Sequence, residues 1–269
     1  MIGIFDSGVG GVTVARAIRQ RLPEYQLLYL GDSARAPYGN RSQQLIYQFT
    51  AQALDFLFGQ GCQLVIIACN TASAEALRKI QQEYLPKKYP DRRVLGVIRP
   101  VVEVVVEQSK TGRIGVVGTR GTVSSGAFER EIKTARSDAT VFQQACPLLV
   151  PLVEEGWQQR PETMRIIRQY VRSLKQQRID TLILGCTHYP MLEKQFRSAM
   201  GRRVVILDSP KIVAEKLADY LQRHPEIEKK LTRGANHRFV VTDITQPLER
   251  NTQQWLGEKI VLQKIMLST

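Results

Sequence analysis

Residues 65–73 read VIIACNTAS, an apolar run that stops at a cysteine and passes straight into small polar residues. Residues 182–190, LILGCTHYP, repeat that arrangement around a second cysteine. A short β-branched run followed by a segment of helical period predicts a buried parallel strand turning into a helix. Outward from these two stretches the same unit recurs. IGIF (2–5) precedes VTVARAIRQRL (12–22), LLYLG (27–31) precedes SQQLIYQFTAQALDFLF (42–58), and the strand ending at Cys69 precedes ASAEALRKIQQEY (72–84). The pattern resumes with RIGVVG (113–118), a helix from about Val123, VFQQA (141–145), a helix over 161–177, the strand ending at Cys186, a helix over 190–200 and VVILD (204–208). Strands alternating with helices predict parallel sheets with helical crossovers. Ser42 suits a helix N-cap, and Pro161 and Pro190 suit first-turn positions. PVVEVVVEQSK (100–110) reads both ways, as a helix after its proline or as a strand from its valines.

The echo extends beyond the cysteines, because IGIFDSG (2–8) resembles IGVVGTR (114–120) and a cysteine follows each at nearly the same spacing. Two related units in tandem account for this, with the break near LPKKYPDRR (85–93). A helix at about 210–222 and a strand in HRFVVTD (237–243) can return the chain to the first unit. The expected fold is therefore α/β: two pseudosymmetric, doubly wound parallel-sheet domains with the site in the cleft between them. Residues 1–94 plus 208–269 form the first, carrying Cys69, and residues 95–207 the second, carrying Cys186.

A chain of 269 residues with 43% hydrophobic content can bury a substantial core. No apolar run reaches the length of a membrane span, which predicts a soluble, cytoplasmic protein. The cysteines at 62, 69, 146 and 186 form no closely spaced pair, which predicts free thiols in a reducing compartment. The net charge of +13 is spread along the whole chain with no basic arm. It predicts a solvated basic surface, with weak attraction of nucleic acid as its only consequence.

In parallel α/β sheets ligands collect at the carboxyl ends of the strands, where both Cys69 and Cys186 fall. A thiol at a helix N-terminus is expected to have its pKa lowered by the dipole. Asn70, Thr71, Ser73 and Thr187 beside them can hold an anionic group. One cysteine ending a buried strand would read as a small hydrophobe. Two in duplicated surroundings point to chemistry. A disulfide oxidoreductase keeps its pair close in sequence, nucleophilic acyl transfer leaves one thiol unused, and metal binding calls for more soft ligands. Proton transfer at a stereocentre uses two opposed groups, one taking the proton from one face and the other returning it to the opposite face. Gly8, Gly10 and Gly11 match neither a P-loop nor a dinucleotide fingerprint and suit a tight strand-to-helix turn. The alternatives are a racemase or decarboxylase acting on another substrate, such as aspartate or a hydantoin, of which a decarboxylase would need only one cysteine, and a non-catalytic basic binding protein with structural thiols.

FDSGVGG (5–11), GDSARAPYG (31–39), ACNTAS (68–73), VPLVEEG (150–156) and GCTHYP (185–190) together resemble the glutamate racemase family of the aspartate/glutamate racemase superfamily. The resemblance covers most of the chain to about residue 210. It implies racemisation of glutamate without cofactor or metal, D-glutamate for peptidoglycan, and a homodimer. Cys69 would act on the D-enantiomer and Cys186 on the L-enantiomer. Asp6 would assist Cys69 or meet the substrate ammonium, and His188 would assist Cys186 with Glu154 nearby. Substrate holding would fall to Asp6, Ser7, Tyr38, Gly39, Asn70, Thr71, Thr187 and His188, with Thr119 and Thr122 as further candidates. One departure stands out: GVIRPVVE (96–103) carries Arg99 and Val101 where many relatives have a glutamate-proline-glycine run.

Overall fold

A computed structural model describes residues 1–267; of the first unit expected from the sequence, positions 268 and 269 lie outside the described residues. Among the described residues, ten strands form two sheets in which every pairing is parallel. In chain order they are β1 (Ile2–Asp6), β2 (Leu27–Gly31), β3 (Leu64–Ile67), β4 (Arg93–Gly96), β5 (Arg113–Gly118), β6 (Thr140–Ala145), β7 (Thr181–Gly185), β8 (Val205–Ile206), β9 (Arg238–Val241) and β10 (Leu262–Lys264). The first sheet has the order β10-β9-β2-β1-β3-β4, and the second β6-β5-β7-β8. The inner order 2-1-3-4 of the first sheet is thus repeated in the second. β3, before Cys69, and β7, before Cys186, occupy equivalent places.

Each central strand is buried along its length because helices cover both faces, and its alternate side chains serve two cores. Ile4, Tyr29 and Ile66 face one core; Phe5, Leu30 and Ile67 face the other. The first of these cores runs on into the second unit through Ile114, Val116 and Leu182.

Local chemistry sets the helix boundaries. Ser42 accepts from the Leu45 amide and starts the helix Gln43–Gly59, while Pro161 opens Pro161–Gln176. The ambiguous segment is the helix Ile98–Gln108, whose Val101, Val102 and Val105 are buried on one face. Helical spacing of that apolar stripe overrides the strand preference of valine. Val101 therefore packs in the core, and Arg99 lies exposed beside Glu103 at 3.5 Å.

The helix expected from Val123 begins earlier, as Arg120–Ser124 capped by Thr119, and a second helix, Ala127–Ala135, follows Gly126 at φ 65°. Gly126 adopts the left-handed conformation that breaks the run. β4 pairs with β3 across positions 93–96, so the first sheet extends past LPKKYPDRR. The chain then returns through the helix Ser209–Arg223 and strands β9 and β10.

Candidate active site

The order 2-1-3-4 reverses direction between strands 1 and 3, and ligands in open α/β sheets sit at such a switch point. In the first unit it lies between the ends of β1 and β3, where the chain places Asp6, Ser7 and Cys69. In the second it lies between the ends of β5 and β7, where it places Thr119, Cys186 and His188.

Cys69 caps the helix Asn70–Glu75, its sulfur accepting from the Ala72 amide at 3.4 Å while its thiol donates to Ser7 Oγ at 3.3 Å. It is 5% exposed. Burial, with the charge of Asp6 adding to it, pushes its pKa up to about 12. The helix-terminal lowering expected from the sequence is outweighed, because desolvation acts on the whole charge and the helix has only six residues. The Cys186 charge also raises Cys69, which places the two thiols within electrostatic reach of each other.

Asp6 is fully buried. Its Oδ2 accepts from the Gly11 amide at 3.0 Å and the Gly8 amide at 3.3 Å, and its Oδ1 has no partner among the described residues. Burial raises its pKa, opposed by His188 and these amides. The glycines have a steric role here: a Cβ on Gly11 would lie 2.5 Å from Asp6 Cβ, and one on Gly10 would lie 2.4 Å from Thr187 Oγ1 and 2.5 Å from His188 Nδ1. Only glycine lets this turn press against the opposite unit.

On the second side, Cys186 Sγ lies 3.9 Å from His188 Nδ1, and His188 Nε2 lies 3.0 Å from Glu154 Oε1. Burial by itself would lower the His188 pKa. Hydrogen bonds and negative charge from Cys186 and Glu154 outweigh it and bring the imidazole up to about 10. These two partners thus favour the protonated ring.

The remaining candidates divide into two groups. Thr71 Oγ1 lies 2.9 Å from Thr119 Oγ1 and 3.2 Å from Thr122 Oγ1, which are themselves 3.0 Å apart, so three hydroxyls join the Cys69 side to the Cys186 side. Gly39 backs onto Thr119, where a Cβ would stand 2.7 Å from the threonine Cβ. Ser7 and Asn70 are half-buried, and Thr187 is buried with its carbonyl accepting from Thr13 Oγ1 at 3.4 Å. Tyr38 differs. Its ring is buried against Phe5 and Phe49 and its hydroxyl donates to Asp32 Oδ2, so the side chain belongs to the core beneath the site. Gly39, the next residue, carries that loop to the cleft.

A cavity of about 440 Å³ opens between the units, lined by Gly8, Gly39, Thr119 and Glu154 among others. The helix Gln246–Leu256 closes one side of it, with Leu248 and Asn251 in its wall. Sequence reasoning missed this helix. Thr245 as N-cap, Pro247 in the first turn and Gly257 at φ 84° beyond its end are ordinary boundary signals that could have found it. Its approach to His188 has no local signal. Among the described residues, no cluster of His, Cys, Asp and Glu is built to hold a metal, and no helix is long and apolar enough to cross a membrane.

The family model described as Asp/Glu/Hydantoin racemase matches residues 12–217. Glutamate racemase of Aquifex aeolicus is 41% identical over 96% of this chain and 95% of its own length, and that of Geobacter metallireducens is 38% identical over 96% and 93%. Among solved structures, a glutamate racemase isoform from Bacillus anthracis superimposes with a TM-score of 0.91 at 34% identity, covering 99% of this chain and 97% of that one. The Francisella tularensis glutamate racemase, solved in complex with D-glutamate, matches with a TM-score of 0.88 at 32% identity over 99% and 97%. With these likenesses running the length of the chain, the protein belongs to the Asp/Glu/hydantoin racemase family, as a cofactor-independent amino-acid racemase of the glutamate racemase group.

Proposed function

We propose that the protein interconverts L- and D-glutamate by two-base transfer of the α-proton, Cys69 acting on the D-enantiomer and Cys186 on the L-enantiomer. The observation that carries this reading is the pair of buried thiols at equivalent strand ends, each with its own polar neighbours. A substrate held between them loses its α-proton to one sulfur and receives a proton from the other on the opposite face. Thiolate basicity falls far short of what an amino-acid α-proton requires. The site must stabilise the carboxylate as charge moves onto it and must exclude water while doing so. Ser7, Asn70, Thr71 and Thr187 supply donors for that purpose. Asp6, with one carboxylate oxygen unpartnered, takes the substrate ammonium or assists Cys69. His188, oriented by Glu154, exchanges protons with Cys186. Gly39 and the Tyr38 loop, with Thr119 and Thr122, form the wall through which the units close over the cavity.

The units of this reading are residues 1–94 plus 208–269 and residues 95–207. Its cellular setting is the cytoplasm, its role the supply of D-glutamate for peptidoglycan, and its assembly a homodimer; nucleic acid meets only a weakly attracting basic surface. Glutamate, rather than another small anion, is favoured by the relatives' activity. The test is direct. Incubated with L-glutamate and no added cofactor, the protein should bring optical rotation to zero, and its expression should let a D-glutamate-requiring bacterium grow without supplement. Unchanged rotation, or faster racemisation of L-aspartate, would overturn the proposal.

A further inference from the structure

The helix Gln246–Leu256 belongs to the returning C-terminal segment, yet two of its side chains reach the Cys186 half of the site. Asn251, 3% exposed, donates from Nδ2 to the Glu154 carbonyl at 2.7 Å. Glu154 ends the helix Leu149–Glu154, where backbone carbonyls lack intrahelical partners, so the amide satisfies a group the helix leaves open. Trp255, also 3% exposed, stands T-shaped to the His188 ring at 5.5 Å between centroids. The two lie four residues apart on one face of the helix, and between them they touch both members of the His188–Glu154 pair. Among the described residues, neither hydrogen-bonds to nor stacks on Cys69, Asp6 or Ser7.

Resting on the two-thiol reading above, we propose that Asn251 and Trp255 are positioning residues for one half of the reaction: they hold Glu154 and His188 in register with Cys186 and leave proton abstraction by Cys69 unaffected. The physical argument is one of tolerance. Cys186 and His188 are 3.9 Å apart, a long contact that a small displacement of the imidazole would break. The carboxylate that orients the imidazole sits on the last residue of a six-residue helix. Local bonds from Gly156, Trp157 and Gln158 hold the carbonyls of Val153 and Leu152, and the tie on Glu154 itself is the amide of Asn251 from the returning helix.

The test must separate the two proton abstractions, because a racemisation has an equilibrium constant of unity and kcat/KM is then equal in both directions. A glutamate bearing chloride on the β-carbon does so. Abstraction of its α-proton expels chloride and leaves an enamine, which water converts to 2-oxoglutarate and ammonia, so each enantiomer reports only the thiol that attacks it. Asn251→Leu, similar in volume but without the donor, is expected to slow elimination from the L-enantiomer by about five- to tenfold, the scale of one lost hydrogen bond. Elimination from the D-enantiomer should stay within about twofold of wild type. Trp255→Phe should show the same sign and supplies a second variant if Asn251→Leu folds poorly. Arg250→Ala, exposed on the same helix, should change neither.

Equal slowing of both enantiomers, or of neither, in a folded Asn251→Leu and Trp255→Phe overturns the inference. Cys186→Ser is run in parallel to keep the two readings distinct. If it fails to abolish elimination from the L-enantiomer, the two-thiol reading is wrong; if it succeeds while the helix variants act symmetrically, only the positioning inference falls.

Discussion

The Cys69 and Cys186 sides of the cleft share a topology and differ in their electrostatics. Both thiols follow the third strand of a 2-1-3-4 sheet and both are nearly buried. Around Cys69 the neighbours are a hydroxyl, one amide and a carboxylate, and burial, with that carboxylate adding to it, holds the proton on sulfur. Around Cys186 they are an imidazole and, behind it, a carboxylate that favours the protonated ring. Duplication of the fold fixes where the sulfurs stand, and on the two-thiol proposal unduplicated side chains decide how each handles a proton. Asp6 ends a strand and His188 follows one, so neither has a counterpart at the equivalent place in the other unit.

The comparison breaks most sharply at the sulfurs. Cys69→Ser and Cys186→Ser should each lower racemisation by about a thousandfold or more, the range of a lost general acid or base, measured by circular dichroism of the product. Retention of activity in either variant would remove the equivalence of the two sides. Next come the partners. Asp6→Asn and His188→Asn should each cost about a hundredfold in kcat while the fold persists; loss of elimination confined to the D-enantiomer in the first and to the L-enantiomer in the second would show the halves acting separately.

Gly10→Ala tests the contact between the halves, since the added methyl would meet Thr187 and His188. Overpacking of this kind destabilises by about 1–3 kcal/mol. Thermal unfolding should register it, with a larger loss of activity than of stability if His188 is displaced.

A smaller effect appears in the pH dependence of stability. The unfolded imidazole loses its proton near 6.5 and the folded one near 10. Its contribution is complete below pH 6.5 and declines as pH rises to about 10. The Cys69 thiol acts with the same sign at higher pH, because the unfolded thiol ionises near 9 and the folded one near 12. Melting temperature should fall with rising pH across the first window, and His188→Asn should flatten that fall. At the bottom of the scale, Arg99→Ala should change stability by less than about 0.5 kcal/mol, because the side chain is 81% exposed and its ion pair is a surface one.

Much of this was readable from residues alone where the determinant is local. Strands β1, β2, β3, β5, β6 and β7 announce themselves by short apolar runs, and Ser42 and Pro161 mark real helix starts. β4 was illegible because RVLG is short and charged at its start, and its strand state comes from pairing with β3. The same holds for β10, three residues added to the edge of β9. Within the candidate site, the placement of both thiols at strand ends was legible. The packing of the Tyr38 ring on Phe5, the three-threonine contact between the units and the tie from Asn251 to Glu154 join residues far apart in the chain, and no spacing rule encodes them.

The central claim, that two thiols work from opposite faces of one carbon, is tested most directly by racemisation in D2O stopped at low conversion. Two bases predict product of either hand with deuterium at the α-carbon and recovered substrate that still carries its original hydrogen. Product that retains the substrate's hydrogen, or substrate that gains deuterium as fast as product forms, would mean that a single group serves both faces and would contradict the account.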